Sequence, residues 1–223
     1  MIAEHVQGAR RRVRKRLQSI ADRIGFHYEQ TSGEKWERMG RLQFDFLRSQ
    51  GLMPHHYLLD VGCGTLRGGR HAIAFLEPGH YFGVEKETRR LDLARRRVLP
   101  AEGLESRNPR LFCIDNFDFS AIDQNFDFAL AQSVINHLPP DLAKQCIDAT
   151  VGRLAPGGRF FATYHPGELT VGNPHRRRDK EVDIAYHNID WFRQVAEPLG
   201  ADVEDIGQWG HPKKAPMVAF RKI

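Results

Sequence analysis

The sequence predicts an α/β fold: a doubly wound, mostly parallel seven-stranded sheet with helices on both faces, preceded by N-terminal helices that form a lid. Three observations carry this expectation. From residue 57 onward, short apolar runs alternate with longer amphipathic runs, the pattern of strands joined by crossover helices. The first apolar run empties into a glycine-rich turn holding Gly62, Gly64, Gly68 and Gly69. Glycines there let the chain take positive φ and let a ligand approach the backbone. The second run ends in a carboxylate, Glu85, 21 residues after Gly64.

Each element follows from local pattern. Residues 3–24 read as a basic helix with Val13, Leu17, Ile20 and Ile24 on one stripe. Thr31-Ser-Gly-Glu34 resembles a capping box. A helix from about Lys35 to Gln50 follows, burying Trp36, Met39, Leu42, Phe46 and Leu47, and Gly51 and Pro54 end it. The strands fall at Tyr57–Val61, Tyr81–Glu85, Leu111–Ile114, Phe126–Ala131, Arg159–Tyr164, and near 202–207 and 215–221. Helices lie between them at Gly69–Phe75, Thr88–Leu99, Pro140–Leu154 and near Ile189–Leu199, with Pro156-Gly-Gly as a turn. Pro140 suits a first helical turn because its missing N–H would be unpaired there anyway. Two units are expected: residues 1–54, a basic arm and lid, and residues 55–223, the α/β domain.

Charge is distributed unevenly. The chain has 33 Lys+Arg against 28 Asp+Glu, a net +5. Residues 1–20 hold Arg10, Arg11, Arg12, Arg14, Lys15 and Arg16 against Glu4 alone, so the whole excess sits in the arm and the body is neutral. A strongly basic nucleic-acid-binding body is therefore not expected. Residues 10–16 remain compatible with a reversible contact to an anionic membrane surface. No apolar run has the length of a membrane span, and no h-region of a secretory signal is present. Cys63, Cys113 and Cys146 are odd in number and lack CxxC spacing, which suits a reducing, cytoplasmic setting and leaves no metal site expected.

The segment LLDVGCGTLRGG, residues 58–69, is the most informative. It lacks the Gly-Lys-Ser/Thr of a P-loop. In a dinucleotide fingerprint the third glycine would fall at Arg67. Asp60 would repel a pyrophosphate but suits a ligand carrying an ammonium group. Strand–Asp60-x-Gly62-x-Gly64–helix resembles motif I of the class I S-adenosylmethionine-dependent methyltransferases. The usual third glycine of that motif falls at Leu66, a departure that bears on the shape of the turn. FDFALAQSVINHLPP and GRLAPGGRFFATYH continue the resemblance in order and spacing, which covers about residues 55–165.

The resemblance implies S-adenosylmethionine as cofactor. It implies that Asp60, Gly62, Cys63, Gly64 and Arg67 border its methionine part. Glu85, with Glu87 as local competitor, accepts from the ribose hydroxyls, and Asp115, Asn116 and Phe117 hold the adenine, with Asp118 as competitor. Gln132 closes the pocket from the fourth strand. Trp36 stays open between a lid over the cofactor and a core aromatic. The acceptor belongs beyond the ends of the fourth and fifth strands, near Asn136, Tyr164 and His211. His137 is the first candidate for a base and His165 the second. A histidine that packs the pocket is the competing reading for both. Arg176, Arg177 and Arg178 suggest an anionic acceptor. The expected function is O-methylation of a small molecule or saccharide. The alternatives are an RNA methyltransferase, with the arm and residues 175–180 on phosphates, and a non-catalytic cofactor-binding partner subunit. The oligomeric state is not legible in the sequence.

Overall fold

In a computed structural model of the chain, residues 33–171, 175–177, 180–182 and 184–223 are described, and between 170 and 183 the backbone alone. The expected helix over 3–24 and Thr31 of the expected capping box lie outside the described residues. Helix α1 spans Glu34–Ser49, with Gly33 (φ 95°) at its cap and no side-chain cap bond. Strand β1 (Leu58–Val61), helix α2 (Gly69–Phe75), β2 (Tyr81–Glu85), α3 (Thr88–Leu93), β3 (Arg110–Cys113) and β4 (Phe126–Ala131) follow. Then come α4 (Pro140–Val151), β5 (Leu154–Thr163), two short ribbons from β6 (Thr170–Val171) to β9 (Ala185–Tyr186), α5 (Ile189–Ala196), β10 (Ala201–Gly207) and β11 (Met217–Lys222).

The seven-stranded sheet has the order β10-β11-β5-β4-β1-β2-β3. β1 through β5 pair in parallel, and β11 runs antiparallel to both β5 and β10. The first three strands step outward to one side of β1 and the later ones to the other. The carboxyl ends of β1 and β4 therefore border a crevice at the switch point, where doubly wound sheets bind ligands.

Both faces are covered, as a parallel sheet requires. On one face Leu59, Val61, Phe82 and Val84 pack against Cys146 and Ile147 of α4 and Phe192 of α5. On the other, Leu58, Tyr81, Phe128 and Phe161 pack against Phe44, Phe46 and Leu47 of α1, Ile73 of α2 and Leu91 of α3. Adjacent residues thus point to opposite faces, the period of two that a strand imposes. Phe126 and Phe128 would share a face by that period, yet they sit on opposite faces. The β4–β5 register shifts between them, and the irregularity turns one side chain over.

Three boundaries differ from expectation. The helix expected over 88–99 passes through a π turn at Ala94–Val98 before a last turn at Leu99–Ala101. Pro100 has no N–H for the carbonyl four residues back, and the ladder widens just before it. Pro156-Gly-Gly falls inside β5, with Gly157 at φ 78°. The turn chemistry survives as an irregular stretch of strand, and the preceding helix ends at Val151 instead of Leu154. The last helix closes in a 3-10 turn, Glu197–Leu199, with Gly200 in the left-handed region.

Candidate active site

A cavity of about 420 Å³ opens at the switch point. It is lined by Asp60, Gly62, Cys63, Gly64, Arg67 and Gln132, and by Trp36, Gln43, Arg90 and Ser133. The β1–α2 loop forms its floor. Gly62 and Gly64 take φ of 73° and 59°, which glycine adopts freely. A Cβ at Gly62 would lie 2.6 Å from Val134 Cγ2, so that position has no room for a side chain. Leu66, where the motif's third glycine would stand, keeps the glycine-like turn at φ 65°. Left-handed backbone costs such a residue on the order of 1 kcal/mol, and complete burial of its side chain offsets that.

Asp60 is buried and accepts a hydrogen bond from the Tyr81 hydroxyl at 2.6 Å. Burial pushes its carboxyl up to about 6; the Tyr81 bond opposes the shift, Glu85 adds to it, and Arg67 opposes it. A ligand ammonium beside it would restore the charged form. Cys63 is buried at the same floor, and burial raises its thiol well above the ordinary value, so it lines the pocket as a neutral group.

Glu85 ends β2, 3% exposed, behind the loop. Its two oxygens accept the amides of Gly64 and Glu87, each at 3.0 Å. Glu87 is half-exposed and pairs with Arg90 at 3.0 Å, while the Arg90 guanidinium lies 3.7 Å from Glu85. The buried acid tied to the glycine loop is Glu85, not its competitor. Asp115, Asn116 and Phe117 follow β3 in an exposed turn that does not line the cavity. Asn116 accepts the Asp118 amide, and Asp118 accepts the Ser120 amide. Neither bond uses Asp115.

The tip of β4 forms the opposite wall. Gln132 Oε1 accepts from Gln43 Nε2 at 2.5 Å and from Arg67 Nη2 at 2.9 Å. Ser133 stands next, at φ 59°, and its amide donates to Thr163 Oγ1 at 2.7 Å. Asn136 is buried, and its side-chain amide meets His165 Nε2 at 3.3 Å. His137 is exposed at the end of a single 3-10 turn, Ile135–His137. Burial lowers His165, and His137 and Lys213 add to the effect. His211 stacks on Trp209 and is lowered by burial, then by Lys213, Arg67 and His165. His137 thus lowers His165, and His165 lowers His211; none of the three lines the cavity.

Tyr164 does not line this cavity either. Its hydroxyl donates to Asp205 at 3.2 Å, and it lines a second cavity with Pro166, Gly167 and Asn188. Arg176 and Arg177 belong to the ribbon pairing β7 (His175–Arg177) with β8 (Lys180–Val182). Their side chains, and Arg178 altogether, lie outside what is described. Among the described residues no cluster of His, Cys, Asp and Glu is arranged to hold a metal ion.

Sequence reasoning missed Gln43, Arg90 and His187. Gln43 had a signal: it stands four residues after Met39, a polar side chain on an apolar stripe. His187 is fully buried with both ring nitrogens unpartnered, and its pKa is down at about 4 from burial and from His165. No local pattern marks it, because the bridge of Pro166 to His187 that buries it is long-range.

Residues 59–160 match the family described as "Methyltransferase domain". They are a methyltransferase domain. The match spans motif I through β5, the stretch that builds the cavity floor and the β4 wall. S-adenosylmethionine is the cofactor of this domain class. The cavity fits it: a carboxylate lines the void, Gly62 and Gly64 beside it carry no side chains, and a buried acid backs their loop.

Solved structures share the fold. Magnesium protoporphyrin IX methyltransferase from Synechocystis, with S-adenosylmethionine bound, is 15% identical, with a TM-score of 0.65 over 91% of this chain and 90% of that one. An amino pentose methyltransferase from Micromonospora echinaspora is 18% identical, at 0.63 over 90% and 97%. A sugar N-methyltransferase from Streptoalloteichus is 16% identical, at 0.61 over 89% and 92%. An uncharacterised protein of Methanocaldococcus jannaschii is 30% identical over 170 residues, which span 68% of this chain and 42% of that protein.

Proposed function

We propose that the chain transfers a methyl group from S-adenosylmethionine to an oxygen of a small-molecule acceptor. The observation that carries the reading is one cavity with two unlike walls. Asp60 and the open loop suit an amino-acid ammonium and its backbone. Gln132 and Ser133 suit a neutral or acidic acceptor. When bound, the cofactor supplies an electrophilic sulfonium methyl, so the protein's task is positioning, water exclusion and proton removal.

Under this reading Asp60 orients the ammonium, and Tyr81 holds the carboxylate in place. Glu85 accepts from the ribose hydroxyls, and the turn of Asp115, Asn116 and Phe117 meets the adenine. Trp36 and Gln43 of α1 close the cavity from above. His165 takes the acceptor's proton: its neutral form is favoured, and that form is a base. Transfer through Nε2 requires release of the Asn136 bond. His137, more exposed, bounds the entrance.

The porphyrin and sugar methyltransferases among the fold neighbours support a small-molecule acceptor. The test is transfer of radiolabelled methyl from S-adenosylmethionine into fractionated cell extract. Label entering the small-metabolite fraction, lost with Asp60→Asn, is the expected result. Label entering RNA would favour the nucleic-acid reading. Tight cofactor binding without label in any fraction would favour a partner subunit.

A further inference from the structure

Arg70 ties the glycine loop to the helix that covers it. Its backbone amide donates to the Leu66 carbonyl at 3.0 Å, which closes the loop into the first turn of α2. Its side chain runs to α1. The guanidinium lies over the Trp36 ring, 4.5 Å from the centroid. Nη2 donates to Glu37, and Nη1 donates to Glu102 at 2.6 Å. His71, the next residue of α2, sets its Nε2 3.5 Å from the other oxygen of Glu37. The side chain of Arg70 is 6% exposed, while those of Glu37 and Glu102 are 53% and 40% exposed. Arginine can offer a stacking face and a two-pronged edge at once because the guanidinium is planar, and lysine cannot.

Ion pairs to acids so open to water contribute little stability, and α1 already has an apolar seat through Phe44, Phe46 and Leu47. What the arginine fixes is orientation. The first turn of α1 holds Trp36 and Glu37, and Gly33 at its cap supplies no side-chain bond. Trp36 lines the cavity, and Arg70 does not. A ring that borders the void is thus held by a residue outside it, and that residue's backbone is fixed to the loop on the cavity floor. We propose that Arg70 is a positioning residue of the cofactor site: it sets the Trp36 ring as the cavity's cover, in register with the glycine loop beneath. The proposal rests on S-adenosylmethionine occupying this cavity. It takes Trp36 as a lid over the cofactor, the first of the two roles open to it in the sequence.

The experiment is a double-mutant cycle in the full chain: Arg70→Met, Trp36→Leu and the two together. Calorimetry measures S-adenosylhomocysteine affinity, with thermal unfolding as the folding control. Arg70→Met keeps the aliphatic stem and removes the planar charge. Each single substitution should weaken binding by about fivefold or more. The double variant should lose no more than about twofold beyond the weaker-binding single one. Trp36 is then followed in a Trp191→Phe, Trp209→Phe background, where it is the last of the chain's three tryptophans. Saturating S-adenosylhomocysteine should shield its fluorescence from acrylamide when Arg70 is present and much less in Arg70→Met. Losses that multiply in the double variant, unchanged affinity in either single variant, or equal shielding with and without Arg70 would overturn the proposal. If Arg70→Met does not fold, Glu37→Gln decides, because it loosens the guanidinium without removing it. Affinity then falls by about threefold when Trp36 is present and is unchanged beside Trp36→Leu, or the proposal fails. Wild type that does not bind S-adenosylhomocysteine at all would strike the cofactor reading, and the proposal with it.

Discussion

Asp60 is a carboxylate held against a phenol and away from water, and two properties follow from that placement. Its folded-state pKa is raised to about 6. Such a group disfavours the folded state progressively as pH rises through the interval between its ordinary value and 6. The penalty is on the order of 3 kcal/mol above pH 6, since one pKa unit is about 1.4 kcal/mol. Asp60→Asn keeps an acceptor for Tyr81 and removes the penalty. In urea unfolding at pH 8 without ligand, the variant is expected to be at least as stable as wild type. Its affinity for S-adenosylhomocysteine is expected to fall tenfold or more by calorimetry. Loss of stability with retained affinity would refute the role given to this residue.

The same carboxylate sets a pH dependence for binding. Only the ionised form meets an ammonium, so affinity for S-adenosylhomocysteine should decline as pH drops below about 6 and stay level above it. A separate limb belongs to His165. Burial and its charged neighbours lower its pKa, so under saturating cofactor the turnover limb assigned to it should lie below the ordinary histidine value of 6.5. His165→Gln should lower turnover and leave cofactor affinity intact. Unchanged turnover would remove His165 as the base.

Helix α1 matters at the scale of elements because it rests directly on the cofactor loop. A Cβ at Gly40 would stand 2.1 Å from the Arg67 carbonyl oxygen, and one at Gly68 would stand 2.3 Å from Gln43 Oε1. Glycine in a helix interior ordinarily loses roughly 0.5–1 kcal/mol to alanine. At residue 40 the sign reverses, because backbone cannot move aside as a flexible side chain can. Gly40→Ala should destabilise the chain by about 1–3 kcal/mol and weaken S-adenosylhomocysteine binding by displacing the loop. A rise in stability would show that α1 does not seat as described.

What was legible in the sequence follows from the range of the interactions. Asp60, the loop glycines and Glu85 were readable because strand, turn and acid recur at spacings fixed by local geometry. The Gln43–Gln132 bond and the placement of Tyr164 were not. Gln43 and Gln132 are 89 residues apart, and no local pattern encodes where a helix face meets a strand tip. Tyr164 reads as a pocket residue because it directly follows β5. The strand's pleat instead turns its hydroxyl to Asp205.

At the scale of the whole molecule, the strand order explains why these residues meet at all. β1, β2 and β4 are neighbours in the sheet although residues 58 to 131 lie between their ends. Their carboxyl ends bring Asp60 and Gln132 to one crevice, with Glu85 behind its glycine loop. The α/β expectation held because alternation of strand and helix admits few topologies once crossovers are right-handed. Among the described residues no helix is long and apolar enough to cross a membrane.

On this reading the cofactor binds at the switch point, between the β1–α2 loop and the tip of β4. A nitrogen-15 amide shift map of the full chain titrated with S-adenosylhomocysteine tests it most directly. Saturable shifts are expected at Gly62, Cys63, Gly64, Thr65 and Gln132, extending to Glu85 and the 115–117 turn. Saturable shifts confined to Gly167, Asn188 and Ile189 around the second cavity, or no shifts at all, would contradict it.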